Sequence, residues 1–232
     1  MAHTDGGEVV GRIVTLGEVV ADVYREDTSS EVEMAFRARP GGAPANLAVA
    51  AAKLGAEAAL VGGLGEDLFG EFVLQTLETV GVDASAIVRQ APPARTTPAF
   101  VEVSGDGDRK FTFYRSDPAA DEILSPEDVK RETLSGASFA NFGSIPLIKK
   151  PVRSATLRFA DLARELEVPV ALDVNFREHL WENAGAAREA VDPLLDLATI
   201  VKLSDDELSP VLGVGIRKRR RKSSWPAASA WS

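Results

Sequence analysis

The chain has 232 residues, of which 45% are hydrophobic, so it can bury a substantial core and we expect one folded domain. Its net charge of −9 argues against a nucleic-acid-binding surface, and the lack of cysteine, with only two histidines, excludes disulfides, cysteine nucleophiles and histidine-rich metal centres. No apolar run is long enough to cross a bilayer, and the start lacks an apolar secretory core. We therefore expect a cytoplasmic protein with neither a nucleic-acid nor a membrane partner.

Strands and helices alternate along most of the chain. Short strands are predicted at 13–16 and 58–61, each followed by glycine. A helix over 44–54 lies between them, opened by Pro44 and stopped by Gly55. The same alternation predicts helices over 67–80, from Ser125, over 152–167 and over 186–197, and strands at 138–142, 168–174 and 199–203.

The segment 97–115 interrupts this alternation. Its two apolar stretches, 100–103 (FVEV) and 110–114 (KFTFY), are separated by the turn-rich sequence SGDGDR. Such a pattern predicts an antiparallel hairpin.

Repeated strand–helix–strand units predict an α/β fold with a parallel sheet and helices on both faces. Ligands bind such sheets beyond the carboxyl ends of the strands. This rule points to 17–22, 173–177 and 202–207, which each follow a predicted strand. Past Leu212 the alternation ends, so we expect an incomplete sheet.

The most specific segment is Gly41–Ala50 (GGAPANLAVA). Two glycines before a helix let the backbone approach a ligand and expose amide N–H groups. Asn46 offers a donor and an acceptor to a sugar hydroxyl. From the glycines alone, a plain loop-to-helix junction with Asn46 as a local cap is the favoured interpretation.

This segment, with 61–70 (VGGLGEDLFG), resembles the N-terminal signature of ribokinase-type (PfkB) carbohydrate kinases. Further stretches look most like fructokinases: 17–22 (GEVVAD), 95–100 (RTTPAF), 111–115 (FTFYR), 117–121 (DPAAD), 143–147 (GSIPL), 173–177 (DVNFR) and 201–208 (VKLSDDEL). The matches keep a consistent order over roughly residues 11–213. The resemblance implies a ribokinase-like, Rossmann-type sugar kinase domain over 1–213, incomplete at its C-terminal part, with a small β lid that includes the hairpin 97–115.

The resemblance also implies a sugar pocket formed by Asp22, Gly41, Gly42 and Asn46. Asp22 would accept hydrogen bonds from sugar hydroxyls; a solvated loop carboxylate is the alternative. Arg115 is a candidate substrate contact, with a surface arginine at a strand end as the alternative. The lid would close over the sugar and exclude water.

A phosphate-binding region is implied at Asn175, Arg177, Lys202 and Glu207, with ATP and Mg²⁺ as cofactors. The guanidinium group of Arg177 suits anionic oxygens. Glu207 is the candidate Mg²⁺ ligand, with a solvated acidic helix start as the alternative. Asp173 is expected to order its loop.

Kinases of this type carry an Asp-Thr-x-Gly-Ala-Gly-Asp segment whose last Asp is the catalytic base, and nothing in the 232 residues matches it. We therefore identify no catalytic residue and expect little or no kinase activity from this chain. An incomplete sheet also exposes an edge, so we expect low solubility or self-association.

The segment 214–232 differs from the rest of the chain. It contains six consecutive basic residues, Arg217–Lys222, and no acidic residue. We interpret it as a disordered tail, with a reading-frame shift as one hypothesis for its origin. A basic tail that attracts phosphate or nucleic acid is the alternative.

The function that the resemblance implies is ATP-dependent phosphorylation of fructose to fructose 6-phosphate. Two alternatives stay open: a 2-keto-3-deoxygluconate kinase, and a non-catalytic sugar-binding remnant. A homodimer formed through the lid is also implied by resemblance.

Overall fold

The computed structural model describes residues 11–26, 30, 32–103, 109–205 and 207–212. The strands are β1 (Arg12–Leu16), β2 (Val20–Arg25), β3 (Phe36–Gly41), β4 (Ala58–Gly65), β5 (Val82–Asp83), β6 (Ile87–Gln90), β7 (Thr97–Val103), β8 (Arg109–Phe113), β9 (Ala137–Gly143), β10 (Val170–Asp173) and β11 (Ile200–Lys202). The α-helices are α1 (Ala43–Lys53), α2 (Leu68–Thr79), α3 (Arg131–Leu134), α4 (Val152–Glu165), α5 (Ala184–Leu195) and α6 (Leu208–Leu212).

The main sheet has the strand order β11-β10-β9-β1-β4-β5, and β6 pairs with the far end of β4. All of its strand pairs are parallel. The prediction of a parallel α/β sheet is therefore confirmed. The order places the carboxyl ends of β9, β10, β11 and β1 along one edge of the molecule.

Helices cover both faces of this sheet because successive side chains of a strand point to opposite sides. Ala58 and Leu60 of β4 pack in a cluster with α1 and α2, whereas Ala59 and Val61 pack in a second cluster with α4 and α5. Strand β4 is buried along its whole length, as expected for a strand covered on both sides.

A second, small sheet has the order β3-β2-β7-β8. Strands β7 and β8 pair antiparallel, so the predicted hairpin is confirmed. The sequence analysis placed Asp22 in the segment that follows β1 and did not predict β2 and β3. Asp22 instead lies inside β2, opposite Arg39 of β3 and Ala99 of β7. The small sheet therefore has four strands rather than one hairpin.

The other predicted strands and helices agree with the observed ones to within a few residues, whereas β5, β6, α3 and α6 are not predicted from the sequence. Ser125 caps a short 3-10 turn, Pro126–Asp128, through a capping box with Asp128, rather than a long helix. None of the helices in the described ranges is long and apolar enough to span a membrane. The tail 214–232 lies outside the described residues.

Candidate functional site

A cleft of about 570 Å³ opens at the carboxyl ends of β1, β9, β10 and β11. Six polar residues on its wall are Glu18, Asn46, Asn141, Asp173, Asn175 and Lys202. Three of these, Asn46, Asn175 and Lys202, were predicted as site residues from the sequence. The cleft also lies where ligands bind parallel sheets of this kind.

The N-terminus of α1 forms one side of the cleft. Gly42 precedes the helix with a φ of 98°, and a Cβ atom at this position would clash with the carbonyl oxygen of Glu18. Only glycine adopts this positive φ without strain and also leaves room for the Glu18 carbonyl. Next to it, the Ala43 N–H donates to Oε1 of Glu18 at 3.2 Å. The conformation of Gly42 thus fixes the start of α1, on whose first turn Asn46 lies.

Asp22 lies within β2, and Gly41 ends the neighbouring strand β3, two residues before Ala43 of the cleft wall. A Cβ atom at Gly41 would clash with the carboxylate of Asp22, so the absence of a side chain there lets β3 pass close to that group. Neither residue borders the cleft itself, and the same is true of Gly42.

An ion pair marks the opposite side of the cleft. Nζ of Lys202, at the end of β11, lies 2.9 Å from both carboxylate oxygens of Asp173, at the end of β10. Two residues later, Asn175 adopts a φ of 41°, which is uncommon outside glycine but tolerated by asparagine. This ion pair links the ends of two neighbouring strands, and the expected role of Asp173 in ordering its loop stays a prediction.

Glu207 joins the two loops that follow β10 and β11. Its Oε1 accepts from the Phe176 N–H at 2.6 Å, and its Oε2 accepts from the Ser204 N–H at 2.8 Å. The side chain is buried, so the alternative of a solvated helix start is wrong. Arg177 is exposed and lies outside the cleft lining.

The described residues contain no group of three or more acidic or histidine side chains that could hold a metal ion. Both carboxylate oxygens of Glu207 are already engaged by backbone N–H groups. Among the described residues, Glu207 and its neighbours therefore do not supply a full set of Mg²⁺ ligands. It suits an ion that is held mainly through water and phosphate oxygens.

Arg115 lies in a partly buried ionic cluster rather than free at the surface. Its Nη1 is 3.0 Å from Oδ2 of Asp121 and 3.3 Å from Oε1 of Glu122. Lys149 lies 3.0 Å from the other oxygen of Glu122. These four residues border a second cavity, of about 130 Å³. Burial raises the pKa of Asp121, although the neighbouring Arg115 acts in the opposite direction.

Glu18 borders both cavities, and the sequence analysis did not select it as a site residue. It is 7% exposed, and its Oε2 has no hydrogen-bond partner among the described residues. Burial raises its pKa to about 7, with a smaller contribution from Asp121; hydrogen bonds from the backbone and the charge of Arg115 oppose the rise. Asn141, also missed, is a buried residue of β9 whose side-chain amide donates to the Ala171 carbonyl at 2.8 Å.

The described chain thus combines a parallel sheet with helices on both faces, a small second sheet, and a polar cleft at the strand ends, which is where small ligands bind sheets of this type. Residues 10–223 match the family of pfkB carbohydrate kinases. The chain belongs to this family.

Individual relatives are fructokinases and a related sugar kinase. The chain is 38% identical over 212 residues to probable fructokinase-2 of Arabidopsis thaliana, covering 90% of this chain and 64% of that protein. A fructokinase of Xylella fastidiosa with bound ATP has a TM-score of 0.75 at 34% identity, over 86% of this chain and 63% of that one. The 2-dehydro-3-deoxygluconokinase of Thermotoga maritima has a TM-score of 0.80 at 25% identity, over 88% and 63%. The chain therefore spans less than two thirds of the length of these relatives.

Proposed function

We propose that the chain is the sugar-binding part of an ATP-dependent kinase that phosphorylates fructose to fructose 6-phosphate. The observation that carries the proposal is the cleft at the strand ends, where the amides of Asn46, Asn141 and Asn175 surround a space large enough for a small sugar. Amide groups supply both donors and acceptors, as neutral polyhydroxy ligands require. The similarity to fructokinases supports this choice of sugar.

The residues divide into two groups by position. Asp22, Gly41, Gly42 and Asn46, at the small sheet and α1, would hold the sugar. Asn175 and Lys202 would meet phosphate oxygens on the other side of the cleft, and Arg177 would join them after a movement of its loop. Bound MgATP would supply the phosphoryl group, and the buried Glu207 would keep the phosphate-binding loops in place.

The ionic cluster beside the cleft favours a neutral sugar over an acidic one. Nη1 of Arg115 is within 3.3 Å of both Asp121 and Glu122, so this cation is already neutralised. A sugar acid would need an unpaired cation for its carboxylate. A 2-keto-3-deoxygluconate kinase remains the second candidate, and the high structural similarity to the Thermotoga maritima enzyme favours it.

The small sheet would act as a lid and as a dimer contact. Phe36, Phe100 and Tyr114 form an aromatic row on one of its faces, with ring centroids 5.3 and 5.2 Å apart. Phe36 is 45% exposed and Tyr114 62% exposed. An apolar row of this kind fits the equivalent row of a second copy of this chain. A cytoplasmic location stays a prediction.

The proposal is tested by calorimetric titration of the chain with fructose, ribose and 2-keto-3-deoxygluconate, together with ADP release in the presence of MgATP. We expect saturable binding that is strongest for fructose, with little turnover. Binding of the acid sugar in preference to fructose would establish the second candidate. No binding of any sugar by the folded chain would refute the proposal, and sugar-dependent turnover would refute the expected lack of activity.

A pair of variants locates the binding site. Asn46→Ala removes an exposed amide from the first turn of α1 and should weaken fructose binding about tenfold, since 1.4 kcal/mol corresponds to a factor of ten. Gln75→Ala removes an exposed amide from α2, away from the cleft, and should leave the dissociation constant unchanged. Equal dissociation constants for the two variants would place the sugar elsewhere.

A further inference from the structure

Glu18 is a buried carboxylate with one unused oxygen. Its Oε1 accepts from the Ala43 N–H, whereas Oε2 is shielded from solvent and has no partner among the described residues. An unsatisfied buried acceptor costs about 1–3 kcal/mol in a folded protein. Because Glu18 lies in the wall of a cleft, a hydrogen bond from a ligand can remove this cost.

The position of Glu18 limits what that ligand can be. The residue follows β1 directly and borders both the large cleft and the smaller cavity. On the side of the cleft its neighbours include the amide-bearing Asn46 and Asn141. Oε2 is closed to solvent in this conformation, so a sugar hydroxyl in the cleft donates to it once the Glu18 side chain turns toward the cleft, whereas an anionic substituent there would meet a like charge.

We infer that Glu18 is a specificity-determining residue of the sugar cleft: its Oε2 accepts a hydrogen bond from a hydroxyl of the bound neutral sugar, and its carboxylate disfavours sugars that carry an acid group. This inference rests on the proposed function, because it requires that a sugar occupies the cleft. It concerns binding and assigns no bond-making step to Glu18.

The charged groups around Glu18 set the direction of the pH effect. Asp121 raises and Arg115 lowers the pKa of Glu18, and burial makes the largest contribution, so the carboxyl group titrates near pH 7. Glu122 and Lys149 face it across the smaller cavity, paired with each other.

On the cleft side, Asp173 and Lys202 are likewise paired. A hydroxyl donor favours the charged form of Glu18. Affinity for fructose should therefore rise as the pH passes upward through 7, while affinity for an acid sugar should fall.

The test compares the whole chain and Glu18→Gln by calorimetric titration with fructose and 2-keto-3-deoxygluconate at pH 5.5 and pH 8.0. For the unmodified chain we expect fructose to bind about tenfold more tightly at the higher pH, as a hydrogen bond to a charged group implies. In Glu18→Gln the fructose affinity should be the same at both pH values, and the preference for fructose over the acid sugar should fall about tenfold. Glu71→Gln makes the same chemical change at an exposed site on α2 and should keep the original pH profile.

Each outcome separates this inference from the proposed function. If the unmodified chain binds neither sugar, both are refuted. If it binds fructose and Glu18→Gln retains the same pH profile and the same preference, the proposed function stands and the role of Glu18 is refuted. Glu18→Gln leaves Asp121 in place. If Asp121 causes the pH dependence of fructose affinity, that dependence will therefore persist in the variant.

A second measurement on the unmodified chain does not depend on the variant being folded. Fructose binding at pH 7.0, followed in two buffers of different ionisation enthalpy, should release protons, because the bound hydroxyl lowers the pKa of Glu18. Binding without proton release would overturn the inference.

Discussion

At the scale of single residues, the raised pKa of Glu18 makes the free energy of unfolding depend on pH. Its folded pKa of about 7 lies above the ordinary value of 4.5, so the native state binds more protons than the unfolded state between these pH values. The stability that this carboxyl group contributes is complete below pH 4.5 and is lost as the pH rises through 7. One pKa unit corresponds to about 1.4 kcal/mol, which gives a loss of roughly 3 kcal/mol.

Urea unfolding between pH 4.5 and 7.5 checks this prediction. The free energy of unfolding of the unmodified chain should decline relative to that of Glu18→Gln as the pH rises. Asp121, whose pKa is also raised, is present in both proteins and cancels in the difference. Parallel stability curves would show that Glu18 is not the titrating group.

Gly42 and Gly55 provide a matched pair of glycines with positive φ. Gly42 has a φ of 98° and contacts the Glu18 carbonyl, whereas Gly55 has a φ of 90° with no other group within 4 Å of an added Cβ. Gly55→Ala should cost about 1 kcal/mol, the backbone cost alone. Gly42→Ala adds a steric clash and should cost more, with weaker fructose binding, because the start of α1 must shift. Equal unfolding free energies in chemical denaturation would contradict this difference.

The sequence predicts candidate site residues where they lie in recognisable segments. Asn46, Asn175 and Lys202 were found in this way, and the structure brings all three to one cleft. Glu18 and Asn141 were missed because a glutamate after a glycine, or an asparagine within a strand, has no distinctive pattern. Their significance comes from burial, which only the packing of distant segments creates.

At the scale of elements, Glu207 connects the loops after β10 and β11. Glu207→Gln places an NH₂ donor against one of the two N–H donors now bound by the carboxylate, at Phe176 and Ser204. We expect a loss of about 1–3 kcal/mol in the free energy of unfolding. Faster proteolysis of the loops that the carboxylate joins should accompany this loss. Glu189→Gln, at an exposed position on α5, should change neither measurement.

At the same scale, strands β2 and β3 of the small sheet are not predicted from the sequence, because pairing with other strands is what forms them. Strand β3 has the sequence FRARPG, with a proline and little apolar character, and half of its residues are exposed. It is a strand because β2 pairs with it, and β2 in turn pairs with β7, more than seventy residues later. The buried strands of the main sheet have continuous apolar runs between turn residues, so local patterns identify them.

At the scale of the whole molecule, two apolar surfaces are exposed in the described part of the chain. One is the aromatic row of the small sheet, formed by Phe36, Phe100 and Tyr114. The other is β11, the outermost strand of the main sheet in the described part of the chain, with Ile200 51% and Val201 37% exposed. The first is compact and suits a closed dimer, whereas an unpaired strand edge can add further chains.

Sedimentation velocity over a range of concentrations separates the two surfaces. Tyr114→Glu places a charge in the aromatic row and should shift a dimer to monomer, while larger assemblies remain. Ile200→Lys places a charge on the strand edge and should remove the larger assemblies while a dimer remains, since lysine on an edge strand opposes further pairing. Both variants lie at exposed positions, so the free energy of unfolding should change by no more than about 0.5 kcal/mol.

A monodisperse monomer for the unmodified chain at all concentrations would contradict association through either surface. A loss of all association in Ile200→Lys alone would assign the dimer to the strand edge and refute the lid contact.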